Sequence, residues 1–203
     1  MTNKPKNTSL EIWCEGESEK NYFDGLIEEI KAKTNKNLHI KTKIPKSSYK
    51  NIKIALERNP YYDKLMIVLD LDRANQDIKE LKNLESLIAV VRKNKENVSL
   101  FLSYANFEDW LLYHFVDSTK NRKENLYLKF GKQGSTDFKR DTKDIYKKIQ
   151  AKGGDIANAE EYFSKRGLFL TKDLSINKNN KNTIQSNLYC FRAELKRILN
   201  RDI

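Results

Sequence analysis

From residue 9 to residue 115 the apolar positions alternate between two rhythms. "LEIWC" (10–14) is a short strand-like run, after which Tyr22, Phe23, Leu26, Ile27 and Ile30 recur at helical spacing. Ser18 is placed to cap that helix, with Glu19 in its first turn. "LHIKTKI" (38–44) alternates strictly, as a half-buried strand does. "SYKNIKIALER" (48–58) is a short helix stopped by the Asn-Pro of residues 59–60. "KLMIVLD" (64–70) is a continuous apolar run, as in a central parallel strand. Ile78, Leu81, Leu84, Leu87, Ile88 and Val91 mark an amphipathic helix over 77–93, "VSLFLSY" (98–104) a fourth strand and "NFEDWLLYHF" (106–115) a fourth helix.

Four strand–helix repeats of this length predict an α/β fold, a mostly parallel sheet with helices on both faces. Beyond residue 116 the texture changes. Residues 117–155 and 171–183 are dense in Lys, Asn, Asp and Gly, with helical patches near 138–150, 157–166 and 184–199. The organisation expected is a core over 1–116 and a helical C-terminal extension over 117–203 packed on it, forming one structural unit.

Charge changes the picture. Lys and Arg number 39 against 28 Asp and Glu, a net +11. That excess favours a polyanionic partner, nucleic acid (DNA or RNA) before an anionic membrane. A plain solubility surface is the competing explanation. Cys14 and Cys190 lie far apart without C-x-x-C spacing, so both are expected as reduced thiols. The first ten residues do not resemble a signal peptide and no apolar run reaches about 20 residues, so a cytoplasmic protein without a membrane partner is expected.

Ligands of an open parallel sheet bind beyond the carboxyl ends of its strands. The first strand runs into Glu15, the third into Asp70 and Asp72, and the fourth into Ser103, Tyr104 and then Glu108. Asp70 and Asp72 point the same way if the strand continues through both. Glu108 shares a helix face with Leu111, Leu112 and Phe115, which aims its carboxylate inward. Carboxylates converging on one edge repel each other unless a hard cation joins them, Mg²⁺ or Mn²⁺. Glu15, Asp70 and Asp72 are the candidate metal ligands, and Glu108 is a fourth ligand or the base that positions an attacking water. Lys20 and Arg73 are candidate phosphate contacts. Glu17 and Glu19 are assigned to a helix start favoured by the macrodipole. His39 is expected in solvent. "FGKQGS" (130–135) lacks the phosphate-loop spacing and reads as a turn. A D-x-D after an apolar strand also fits phosphotransferases that use the first Asp as nucleophile, but those need no glutamate after the first strand.

"CEGESEKNYF" after a strand, "MIVLDLD", "LSYANFEDWLLYHF" and the late "TIQSNLYCFRAEL" (183–195) together resemble the RloB-like family, whose fold is of TOPRIM type. The resemblance implies a TOPRIM-like metal-binding core in which Glu15, Asp70 and Asp72 bind Mg²⁺ for phosphodiester cleavage. It implies a nuclease of anti-phage defence or abortive infection acting on DNA or RNA, transfer RNA included. A partner ATPase and a homo-oligomer are further expectations. His114 lies in the distinctive motif, which keeps a phosphate contact open for it. Its shared face with Phe107, Trp110 and Leu111 points instead to packing. The alternative from another class is a catalytically silent nucleic-acid-binding or sensor subunit.

Overall fold

A computed structural model describes residues 9–34, 39–45, 48–58, 63–103, 106–116, 123–165 and 186–199. Tyr104, the 59–60 helix stop and the 171–183 segment lie outside the described residues. The first half follows the expected order with one addition, the short helix α3 after the third strand: β1 (Leu10–Cys14), α1 (Glu17–Thr34), β2 (Ile40–Lys43), α2 (Tyr49–Arg58), β3 (Lys64–Asp70), α3 (Asp72–Gln76), α4 (Ile78–Lys93), β4 (Val98–Ser103) and α5 (Phe107–Leu112). The strands form one parallel sheet in the order β2-β1-β3-β4. β3 lies inside and is apolar throughout its middle, as its unbroken run requires.

Alternation along the strands divides the core into two layers. Leu10, Ile12, Cys14, Met66, Val68 and Phe101 face α1. Trp13, Leu65, Ile67, Leu69, Leu100 and Leu102 face α2 and α4. Helices therefore cover both faces, and the arrangement is consistent with the TOPRIM-like description.

The basic second half adds α6 (Lys123–Lys129), α7 (Ser135–Arg140), α8 (Ile145–Ala151), α9 (Ile156–Lys165) and α10 (Phe191–Leu199), the last preceded by a 3-10 turn at Leu188–Cys190. These helices join the α1 layer. Phe191 lies 4.4 Å from Phe23 and 5.1 Å from Phe101, centroid to centroid. Truncating so buried a ring to Ala costs about 3–5 kcal/mol. α8 presses closely on α1, because a Cβ at Gly25 would stand 2.7 Å from Tyr146 Cβ. The 130–134 segment is a turn, with Gly131 at φ +65°.

The outer edge of β4 is covered by the chain's return. Ser186 bridges Ser103 in antiparallel sense. Asn187 accepts from the Leu102 N–H through Oδ1 at 2.6 Å and donates from Nδ2 to the Leu100 carbonyl at 3.0 Å. One amide side chain thus satisfies backbone groups that an edge strand would leave open. Among the described residues, no helix is long and apolar enough to cross a membrane.

Candidate active site

The carboxyl ends of β1, β3 and β4 bring an acidic group together. Glu15, just past β1, accepts from the Asp70 backbone N–H through Oε2 at 2.9 Å. Its other oxygen pairs with Arg73 Nη2 at 2.8 Å. Burial pushes the Glu15 carboxyl up and Asp72 adds to that, against the Asp70 N–H and Arg73, which favour the charged form. Asp70 ends β3. The residue keeps partial exposure, yet its Oδ1 is closed off from solvent and has no hydrogen-bond partner. Burial first, then Glu19, Glu15, Glu108 and Asp72, hold the Asp70 carboxyl well above the usual range. The Tyr49 hydroxyl donates to the Asp70 carbonyl and so fixes the strand end from the α2 side.

Asp72 departs from the alternation expected of the D-x-D. The strand stops at Asp70, Leu71 turns into the helical region (φ −91°, ψ −1°), and Asp72 is the first residue of α3. Its Oδ1 accepts from the Arg73 N–H at 2.6 Å. The two aspartates are therefore neighbours through a turn, not along one strand face. Asp77 caps α4 by accepting from the Lys79 N–H at 2.7 Å.

Glu19 is the helix-start residue expected, and it is also buried against the acidic edge. α1 begins at Glu17, two residues earlier than a Ser18 cap would place it. The Lys20 N–H donates to the Gly16 carbonyl, so Gly16 occupies the cap position and Glu19 is the third helical residue. There its Oε2 accepts from the Gly16 N–H at 3.2 Å, the reach-back half of a capping box. Glu19 is only 5 % exposed. Burial, followed by Glu108 and Glu15, pushes its carboxyl up to about 7. Glu17 stays exposed, as a helix-start residue should.

Glu108 is buried, as its helix face required. Lys139 of α7 stands 3.5 Å from its Oε1. Burial lowers the Lys139 pKa, but Glu108 foremost, with Glu19 and Asp70, outweighs it and leaves the ammonium favoured. Lys139 has no local signal in the sequence; only the packing of the second half brings it here. Glu19 had one, the Gly-x-x-Glu spacing of a capping box.

The remaining candidates lie differently. Lys20 pairs with Asp24 at 2.8 Å, and Asp24 also accepts from Thr42 of β2, so Lys20 is drawn toward β2 instead of the acidic edge. Arg73 is engaged with Glu15. His114 is fully buried. Its Nε2 lies 2.7 Å from the Tyr22 hydroxyl and its Nδ1 3.0 Å from the Trp110 carbonyl. The pattern fits a neutral ring that donates from Nδ1 and accepts at Nε2. Burial lowers its pKa to about 4. With both nitrogens engaged inside the core, His114 has the packing role, and the expected phosphate contact does not fit its position.

The donor chemistry suits a hard divalent cation: every acidic group is an oxygen donor, and the orphaned Asp70 Oδ1 needs a partner. The side chains do not stand as a finished ligand set. Among the described residues, no group of three or more His, Cys, Asp or Glu could hold a metal ion as placed. Arg73 and Lys139 neutralise part of the cluster instead.

A family model described as RloB-like protein matches residues 10–189. The chain belongs to the RloB-like family. The RloB-like match spans Glu15, Glu19, Asp70, Asp72, Glu108 and Lys139, so the whole acidic edge and its cations fall within the family's extent. No curated protein and no solved structure matches the chain.

Proposed function

We propose that this RloB-like chain is a Mg²⁺- or Mn²⁺-dependent nuclease whose site is the acidic edge. The observation that carries the reading is Asp70, a strand-end carboxylate with one oxygen closed off from solvent and unpartnered among other carboxylates. Asp70, Glu15 and Asp72 would hold the ion, with Arg73 released from Glu15 toward the substrate phosphate. The ion, when bound, would polarise the phosphate and help generate the hydroxide nucleophile. Glu108, buried beside Lys139, would orient the attacking water, and Lys139 would offset negative charge on the phosphate. From the family resemblance we further propose an anti-phage effector role, with a partner ATPase and a homo-oligomer as candidate assemblies.

Incubation of the purified chain with DNA, total RNA and transfer RNA in Mg²⁺, Mn²⁺ or EDTA tests the proposal. Metal-dependent cleavage that disappears in Asp70→Asn supports it. Equal cleavage by Asp70→Asn and wild type, or no cleavage of any substrate, overturns it.

One observation favours a second reading, a nucleic-acid-binding or sensor subunit without turnover. The ion pairs Arg73–Glu15 and Lys139–Glu108 already balance part of the acidic charge, which helps the edge persist without metal. Metal-independent binding without cleavage is its signature.

A further inference from the structure

The basic second half approaches the acidic edge at one place. α8 runs alongside α1 in the same direction. Asn21 Nδ2 donates to Thr142 Oγ1 at 3.1 Å, Gly25 faces Tyr146, and Gln150 donates to Glu29. The partners advance together along both helices, so the start of α8 lies at the start of α1. That end of α1 follows β1 and carries Glu19. The turn between α7 and α8 is thereby fixed beside the acidic edge, and Lys139, one turn of chain earlier, reaches Glu108.

Residues 132–152 hold seven Lys or Arg and three Asp, with no Glu. The +4 is unevenly placed. Lys132 and Lys148 both pair with Asp141, Lys147 pairs with Glu28 farther along α1, and Lys152 lies over the Phe130 ring. Asp137 accepts from the Gln133 N–H, and Asp144 is exposed at the start of α8. Arg140 and Lys143 flank the buried Thr142, are exposed, and make no ion pair among the described residues. Two cations held out on either side of an anchored threonine, with a third turned into the acidic edge, suit a polyanion that passes over the turn and ends at the carboxylates.

We propose that the α7–α8 turn is the docking surface for the nucleic-acid backbone: Arg140 and Lys143 contact successive phosphates and Lys139 the phosphate next to the acidic edge. The proposal rests on the nucleic-acid partner of the proposed function, which both readings above share. It does not need turnover.

The test compares two charge reversals of equal size. Arg140→Glu with Lys143→Glu alters the turn. Arg92→Glu with Lys93→Glu alters the exposed last turn of α4, which leads into the start of β4 at the opposite edge of the sheet. Fluorescence anisotropy with labelled single-stranded RNA, single-stranded DNA and duplex DNA, in EDTA over a salt series, reads binding alone. The turn reversal should weaken binding about tenfold or more at low salt and lower the salt slope by about 2. The α4 reversal should stay within about twofold of wild type. Arg140→Gln with Lys143→Gln, which removes charge without reversing it, should give a smaller loss in the same direction. Equal losses from the two reversals, an unaffected turn reversal, or no wild-type binding at low salt overturns the proposal. Wild-type binding without cleavage in Mg²⁺ or Mn²⁺ would sink the nuclease reading and leave this surface standing.

Discussion

The backbone N–H of Asp70 donates to the Glu15 carboxylate at 2.9 Å, so the last residue of β3 is fastened to the residue that follows β1. Glu15 thus has a structural duty beside any metal. Glu15→Gln keeps an acceptor for that N–H and loses only the half-exposed Arg73 pair, so it should cost less than about 1 kcal/mol. Glu15→Ala leaves the N–H without its partner and should cost about 1–3 kcal/mol. Urea unfolding in EDTA distinguishes them, and both should abolish metal-dependent cleavage. Equal stability losses would show that the Asp70 contact is unimportant.

Asp70→Asn should leave the metal-free fold as stable as wild type or more so, because it removes a buried charge from among other carboxylates. An ion that binds only the folded state raises Tm. The Mg²⁺- or Mn²⁺-induced rise in Tm should therefore vanish in this variant, as thermal unfolding at several metal concentrations will show. A wild-type protein indifferent to both ions would remove the metal from the account.

Glu19 and His114 should give opposite pH slopes. The Glu19 carboxyl is raised from 4.5 to about 7, so its contribution is full below about 4.5 and is lost as pH rises through 7. His114 is lowered from 6.5 to about 4, so its contribution is present above about 6.5 and is lost as pH falls through 4. The two oppose each other between 4.5 and 6.5. Glu19→Gln retains an acceptor for Gly16 and should raise stability near pH 8 by up to about 3 kcal/mol, while falling more steeply than wild type on acidification. His114→Gln should lose about 1–3 kcal/mol through its broken Tyr22 and Trp110 contacts, and fall less steeply. Chemical unfolding in EDTA from pH 4.5 to 8 checks both signs; parallel profiles for the two variants would contradict the assignment.

Lys139 couples to a carboxylate across the boundary between the two halves of the chain. More than half of its side chain is exposed, which screens the pair, so Lys139→Met should cost about 1 kcal/mol or less. With Glu108→Gln in the background the cost should shrink, and a double-mutant cycle measures that difference. A cycle that closes with no coupling energy would mean the 3.5 Å approach is incidental.

The sequence carried most of the first half of the fold because its main elements are periodic and bounded, from the run at 64–70 to the spacing of Leu84, Leu87, Ile88 and Val91; the five-residue α3 is too short to show a period. It also carried Glu15, Asp70 and the inward turn of Glu108, since strand ends and helix faces are local facts. Glu19 lies in the first helical turn as expected, but its place in the acidic edge is hidden because Ser18 looks like a cap, while Gly16 supplies it and turns the third helical residue inward. Asp72 escaped the alternation rule because the chain leaves the strand one residue earlier. α6 was not anticipated, its few apolar residues being diluted by charge. Lys139 belongs to the edge only through the docking of α7, a contact between distant segments that no local pattern encodes.

The return of Ser186 and Asn187 to β4 gives the chain an order of assembly. Asn187 satisfies backbone groups of a strand 85 residues before it, so this closure is non-local and slow beside the formation of the first strand–helix pairs. On a ribosome, the strand that leads into Glu108 has an open flank until Ser186 and Asn187 have emerged. An interrupted translation product would expose that flank as a template for intermolecular pairing. Prematurely stopped chains should therefore accumulate as aggregates instead of a smaller working protein.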